Sequence, residues 1–93
     1  MWHLRRVEGE SMMPSYSPGQ TIVITTARHF KVGDVVVAFM NGKEVLKRIV
    51  DMHEGSVFLE GDNHEKSKDS RHYGWLADRH VVGKVTFPKK HLK

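Results

Sequence analysis

The sequence has no cysteine among its 93 residues. This absence excludes a disulfide framework, a thiolate metal site and a cysteine nucleophile. Long apolar runs are also missing: the longest, Val35–Met40, covers 6 residues, whereas a membrane-spanning helix needs about 20. The first residues, Met1 to Arg6, contain no apolar core of a secretory signal. We therefore expect a chain that is cytoplasmic or peripheral to a membrane, without a signal peptide or transmembrane segment.

Aromatic residues are few, with 2 Trp, 2 Tyr and 4 Phe. A β domain that binds single-stranded nucleic acid interleaves aromatic and basic side chains on one sheet face, and the sequence has no such stripe. The net charge of +4 permits contact with nucleic acid or an anionic membrane without establishing it. We expect no nucleic-acid partner, and we keep a non-catalytic β-barrel module that binds peptide or nucleic acid as the alternative.

The 7 histidines raise the question of a metal site. They form no helical i,i+4 pair and no compact ligand spacing. The sequence therefore predicts neither a metal nor another cofactor.

Short segments rich in β-branched residues dominate the chain and predict strands. Asn41-Gly42 is a strong hairpin signal and should join a strand at Val35–Met40 to one at Lys43–Asp51. Further strands are predicted at Thr21–Thr26, Ser56–Glu60 and Val81–Phe87. A short helix is predicted to open at Ser11–Tyr16, and a further turn at Leu76–His80. The expected fold is mainly β, a single compact antiparallel domain over residues 1–93.

Three segments carry residues typical of nucleophilic catalysis, and the first is Val7–Pro14. A serine such as Ser11 is a poor nucleophile unless a base removes its proton. Gly9 lets the backbone run close to a bound peptide, and a turn at Ser11 directs backbone N–H groups toward a developing oxyanion. The alternative for this segment is an ordinary surface turn.

The second segment, Val45–Val50, places Lys47 inside a strand of β-branched residues. Burial lowers the pKa of a lysine from its ordinary value of about 10.4, because desolvation disfavours the charge. A neutral lysine amine beside a serine hydroxyl is a competent general base. The alternative is an edge-strand lysine that discourages aggregation.

The third segment, Gly61–Gly74, is dense in small polar residues, and loops of this length are usually functional or disordered. Asp69 and Arg71 are close enough in sequence to pair. Ser67 and Ser70 offer hydroxyls that can orient a buried amine.

Taken together and in this order, the three segments resemble the signal peptidase I family. The resemblance rests on Gly9–Pro14, Lys47-Arg48 and Gly61–Gly74, and it runs from about Val7 to Val85. Self-cleaving SOS repressors share the serine and lysine, but Lys47-Arg48 and Gly61-Asp62-Asn63 favour the signal peptidase branch.

The resemblance implies the signal peptidase and SOS-repressor protease fold and a serine endopeptidase activity. It makes Ser11 the nucleophile, Lys47 the general base and Ser67 the hydroxyl that orients the lysine amine. The implied oxyanion donor is the Ser11 backbone N–H, with the region around Gly9, where some bacterial relatives carry a serine. Structural ion-pair partners that hold the site are implied at Arg48, Asp62, Asp69 and Arg71.

The implied substrate is a precursor protein whose leader or signal segment is removed by a cut after small residues. Met12, Met13 and Val45 are expected to line shallow pockets for those residues. Typical members have membrane anchors and a second large β region; the brevity of this sequence is similar to a short branch that includes nickel-type superoxide dismutase maturation proteases. Trp2, Met12, Met13 and Tyr16 lie near the proposed nucleophile and are either core residues or an exposed apolar rim that touches substrate or a membrane surface. Weak peripheral membrane contact is expected through such a rim and the basic ends of the chain.

Overall fold

The structure is a computed structural model that describes residues 1–26 and 28–90. Within these residues, seven strands form one antiparallel sheet. The strands are β1 (Trp2–Arg6), β2 (Thr21–Thr25), β3 (Val35–Met40), β4 (Lys43–His53), β5 (Ser56–Glu60), β6 (Leu76–Ala77) and β7 (Val81–Phe87). Their order across the sheet is β1-β2-β7-β3-β4-β5-β6.

Within residues 1–26 and 28–90, helical structure is limited to short pieces between β5 and β7. The helix α1 covers Ser70–Tyr73, and single 3-10 turns cover His64–Lys66 and Asp78–His80. In the described part of the chain, no helix is long and apolar enough to cross a membrane. The expected mainly β, antiparallel fold class is therefore confirmed.

The sheet buries apolar residues on both faces, and β3 shows why. Its run of consecutive apolar residues sends Val35 and Val37 to one face and Val36 and Ala38 to the other, as alternation along a strand requires. The first cluster also contains Val7, Met12, Tyr16, Ile22, Ile24 and Val85. The second also contains Met40, Ile49, Val57, Leu59 and Val81.

The Asn41-Gly42 hairpin is confirmed. Met40 pairs with Lys43 across the turn, and the φ angles of Asn41 and Gly42 are 52° and 80°. Positive φ at both central residues is the requirement of a type I′ turn. This turn fixes the register of β4 against β3 and so sets which face Lys47 occupies.

Other local predictions differ from the structure. The predicted helix at Ser11–Tyr16 is wrong: the segment forms successive turns, since Pro14 disfavours the helical conformation of the preceding Met13. The turn predicted at Leu76–His80 is confined to Asp78–His80, because Leu76 and Ala77 pair with the edge of β5 as the short strand β6. The strand β1 had no β-branched signal and forms through its pairing with β2.

Candidate active site

The lysine predicted as a general base lies in a buried position on β4. Lys47 is 4% exposed and stands opposite Val36 of β3. Its Nζ donates a hydrogen bond to Ser67 Oγ at 2.8 Å. The structure therefore brings together Lys47 and the hydroxyl that was predicted to orient it.

Ser67 is itself held in one orientation. Its Oγ donates to Asp69 Oδ2 at 2.5 Å and accepts from the Gly61 N–H at 3.2 Å. A hydroxyl has one hydrogen and two lone pairs. Since the hydrogen points to Asp69, the lone pairs face Gly61 and Lys47, and Ser67 acts as an acceptor toward the amine.

Asp69 is a fully buried carboxylate at 0% exposure. It accepts from the Arg71 guanidinium at 2.9 and 3.1 Å and from the Gly61 N–H at 2.8 Å. Burial alone would raise the pKa of Asp69, but the hydrogen bonds from Arg71, Ser67 and the backbone outweigh it and hold the pKa well below 3.8. Asp69 also caps α1 by accepting from the Arg71 N–H.

The environment of Lys47 favours the neutral amine. Desolvation by burial lowers the pKa of Lys47 below its ordinary 10.5, and the positive charges of Lys43 and Arg71 lower it further. The negative charge of Asp69 opposes this shift, with the Ser67 hydroxyl interposed between the two groups. The net direction is the one that a lysine acting as a base requires.

Ser11 lies at the start of the turn segment that follows Gly9, whose φ of 71° is left-handed. Ser11 and Lys47 line the same cavity of about 480 Å³, together with Gly9 and Val45. Among the described residues, Ser11 Oγ forms no hydrogen bond, so a direct contact with Lys47 stays a prediction. The Ser11 backbone N–H likewise has no acceptor in that part of the chain.

A set of hydrogen bonds ties the Ser11 segment to the start of the third loop. The Asn63 N–H donates to Ser11 O at 2.8 Å, and Asn63 Nδ2 donates to Glu10 O at 3.1 Å. The Asp62 N–H donates to the sulfur of Met12 at 3.4 Å. The serine and the network around Lys47 are thus connected through one short stretch, Gly61–Asn63.

Gly61 has a steric role that the sequence did not reveal. A Cβ at this position would lie 2.5 Å from Ser11 O and 2.6 Å from Ser67 Cβ. Ser11 and Ser67 therefore approach each other closely because Gly61, which lies between them, has no side chain. A Gly-Asp-Asn turn signal was visible in the sequence, but the close approach depends on the folded chain.

Arg48 and Asp62 form a second buried pair on the opposite face of β4 from Lys47. Arg48 donates to both carboxylate oxygens of Asp62, at 2.9 and 2.8 Å, and to Gly33 O at 2.7 Å. The hydrogen bond to Asp62 raises the pKa of Arg48. This pair does not line the cavity; it anchors the loop that carries Gly61.

Of the three residues predicted to contact substrate, only Val45 lines the cavity. Met12 is 1% exposed and belongs to the first apolar cluster with Tyr16, so both are core residues and not part of an apolar rim. Met13 is half-buried and lies outside the cavity. The turn at Ser11 directs Met12 inward, which the residue type alone could not indicate.

Two comparisons with known proteins bear on this site. The sequence profile described as Peptidase S24-like matches residues 3–86, a span that contains Ser11, Lys47 and Ser67. The chain is also 30% identical over 83 residues to the signal peptidase complex catalytic subunit SEC11 of Plasmodium falciparum (isolate 3D7). That match covers 78% of this chain and 45% of the relative, so the chain spans less than half of that protein's length.

Proposed function

The chain belongs to the Peptidase S24-like family, and from this membership we propose that it is a serine endopeptidase of the signal peptidase type with a Ser11–Lys47 dyad. One observation carries the proposal. Lys47 is buried, its amine is oriented by Ser67 at 2.8 Å, and it lines the same cavity as Ser11. The cut removes a leader or signal segment from a precursor protein.

In the proposed reaction, neutral Lys47 accepts the Ser11 Oγ proton as this oxygen bonds to the scissile carbonyl carbon. The carbonyl oxygen gains negative charge and accepts a hydrogen bond from the Ser11 N–H. Protonated Lys47 then gives its proton to the leaving amine, and the C–N bond breaks to leave an acyl ester on Ser11. Lys47 next takes a proton from a water molecule as the water oxygen bonds to the ester carbon. The bond between that carbon and Ser11 Oγ then breaks, the Lys47 proton passes to Ser11 Oγ, and the carboxylic acid product leaves.

The edges of the sheet supply a binding mode for an extended peptide. Residues Lys43–Lys47 of β4 pair with β3, while β5 pairs with β4 only from Arg48 onward. The second backbone edge of Lys43–Lys47 is therefore unpaired and faces the cavity. β1 is the first strand in the sheet order, so one of its edges is unpaired as well. A peptide added as a strand forms main-chain hydrogen bonds there, and Val45, which lines the cavity, packs against the small side chains before the cut.

A weak membrane contact is part of this proposal, on a surface different from the predicted rim. Leu4 lies opposite Val23, and Val23 lies opposite Phe87, across β1, β2 and β7. Trp2, Leu4 and Phe87 are 66%, 56% and 68% exposed. We call these three residues the apolar row. Exposed aromatic and basic side chains together favour an anionic bilayer surface, and the basic neighbours here are Arg6, Lys89 and Lys90.

The test compares mature protein N-termini in cells that carry the parental enzyme and cells that carry Ser11→Ala. The proposal expects a set of N-termini preceded by small residues to disappear in the Ser11→Ala cells, with the uncleaved precursors accumulating. Identical sets of N-termini in the two strains would contradict a peptidase and favour the non-catalytic binding module. A salt titration of nucleic-acid binding then separates the two versions of that module.

A further inference from the structure

One ion pair joins two strands that are far apart in the sheet order. Arg5 Nε on β1 donates to Glu44 Oε1 on β4 at 2.8 Å, although β2, β7 and β3 lie between these strands. The side chains are 34% and 35% exposed. Among the residues that the structure describes, no other side-chain hydrogen bond connects β1 to β4.

The register shows where this pair crosses. Arg5 lies opposite Ile22, and Glu44 shares its face of β4 with Leu46, two residues away. Ile22 belongs to the first apolar cluster, and the partly buried Leu46 packs against it. The sheet therefore curls until β1 and β4 face each other across that cluster, and Arg5 and Glu44 meet at its margin, where both line the cavity that contains Ser11.

This crossing bears on peptide binding because an inserted strand needs a fixed gap. Neighbouring strands lie about 4.8 Å apart, so a peptide between two edges needs those edges about 9.6 Å apart. Main-chain N–H to O distances outside about 2.7–3.2 Å weaken the hydrogen bonds. A small change in the gap therefore costs hydrogen bonds along one side of the peptide.

We propose that Arg5 and Glu44 are positioning residues that hold β1 and β4 one strand's width apart. The gap between the two strand edges is then already formed when the peptide binds. Among the described residues the pair forms no hydrogen bond with Ser11 or Lys47, and it acts through the two backbone edges. The peptide that fills the gap rests on the proposed peptidase function, whereas the spacing of the strands does not. The pair thus contributes to substrate affinity and leaves the chemical step unchanged.

The spacing is measured directly in the full chain, because a sequence without cysteine accepts spin labels at chosen positions. Labels at Leu4→Cys and Lys43→Cys report the distance between β1 and β4. We expect a narrow distance distribution that broadens in Arg5→Gln and in Glu44→Gln and narrows again in the charge-reversed double variant Arg5→Glu/Glu44→Arg. Glu54→Gln is the matched control, since Glu54 pairs with His53 at the far end of β4.

Affinity is measured in the Ser11→Ala background with a fluorescein-labelled peptide that has alanine one and three residues before the intended cut. Loss of an exposed ion pair is expected to weaken peptide binding between about 1.5-fold and fivefold. The charge-reversed variant should recover the affinity. In high salt, which screens the pair, the single variants and the parental sequence should bind the peptide equally well. In the active enzyme the same variants raise KM and leave kcat unchanged.

Two results overturn the proposal: an unchanged distance distribution in both single variants, or tighter peptide binding when the pair is removed, which would make the pair an obstruction. A third result separates the two proposals. If the β1–β4 distance distribution broadens in the single variants but the parental chain neither binds nor cleaves any peptide, the role of Arg5 and Glu44 in spacing the strands is supported and the proposed peptidase function fails.

Discussion

Lys47 Nζ donates a hydrogen bond to Ser67 Oγ at 2.8 Å, and the one hydrogen of that hydroxyl is donated to Asp69. Ser67 therefore serves Lys47 solely as an acceptor. A neutral amine that donates one hydrogen to this oxygen keeps its lone pair for another partner. In the proposed mechanism that partner is the Ser11 hydroxyl, which lines the same cavity.

Ser67→Ala tests whether this orientation matters for the reaction. Without the acceptor the Lys47 amine rotates freely, and misplacement of a reacting group on the scale of 1 Å costs up to about 100-fold in rate. We expect kcat to fall with little change in KM. Ser70→Ala is the matched control, because the buried Ser70 hydroxyl accepts from the Leu59 N–H and does not contact Lys47. An equal loss of kcat in the two variants would remove the role of Ser67 in orienting the base.

The pH dependence of activity follows from the lowered pKa of Lys47. The amine is a base only when neutral, so kcat/KM is expected to rise with pH and level off below 10.5. Lys47→Arg should lose about 10²–10⁴-fold in rate, since arginine stays protonated. Lys31→Arg, an exposed site away from the cavity, is the control. Substantial activity of Lys47→Arg, or activity that falls steadily with pH, would exclude Lys47 as the base.

The same shift predicts a slope in stability. Between the lowered folded pKa of Lys47 and 10.5, the unfolded state binds more protons than the folded state. The free energy of unfolding therefore rises with pH across that window. Lys47→Met removes the titrating group, and urea denaturation from pH 7 upward should show a smaller rise for this variant than for the parental chain. If the free energy of unfolding rises no more with pH in the parental chain than in Lys47→Met, folding does not lower the pKa of Lys47.

Asp69 gives a stability effect at the acidic end. Its pKa is held well below 3.8, so its contribution is complete above that value and is lost as the pH falls through it toward the folded pKa. Asp69→Asn puts a donor against the donors of Arg71 and Gly61 and should cost about 1–3 kcal/mol at pH 7. Denaturation of the two proteins from pH 6 to pH 2 should show the difference shrinking. A constant difference, or one as small as that of the exposed control Asp51→Asn, contradicts the assignment.

The proposed membrane surface is tested with vesicles of phosphatidylglycerol and phosphatidylcholine. In Trp75→Phe the remaining tryptophan is Trp2, whose emission should shift to the blue when the apolar row enters the interface. Phe87→Ser should weaken co-sedimentation, and high salt should weaken it as well. Val32→Ser removes another exposed apolar side chain and should have no effect. Equal binding to neutral and anionic vesicles would argue against the role of Arg6, Lys89 and Lys90.

Much of the fold could be predicted because its signals are local. Val35–Met40 and Ser56–Glu60 are strands with the predicted bounds, since their apolar patterns and flanking turns act within a few residues. β1 and β6 could not be predicted, because each is stabilised by a distant strand and strand preference depends on such partners.

The contacts of the candidate site likewise depend on residues that are distant in the sequence. Family resemblance predicted Ser67 beside Lys47, which the structure shows, but no local pattern joins residues 20 positions apart. Arg5 and Glu44 are 39 positions apart and carry no motif, so their contact appears only in the folded chain. Met12 looked like a substrate contact because it follows Ser11, yet the turn directs it into the core.

Gly61 and Gly83 together separate damage to the site from damage to the fold. A Cβ at Gly61 would lie 2.5 Å from Ser11 O, which belongs to the segment that lines the cavity. A Cβ at Gly83 would lie 2.5 Å from Thr25 O, and neither Gly83 nor Thr25 lines the cavity. Both Gly→Ala variants should lose about 1–3 kcal/mol of stability through overpacking. Only Gly61→Ala should also lower kcat of the folded fraction, because its Cβ displaces the Ser11 segment from the serine that orients Lys47. If thermal melts show similar destabilisation and kcat is preserved in both, Ser11 and Ser67 do not need the close approach at Gly61 for catalysis.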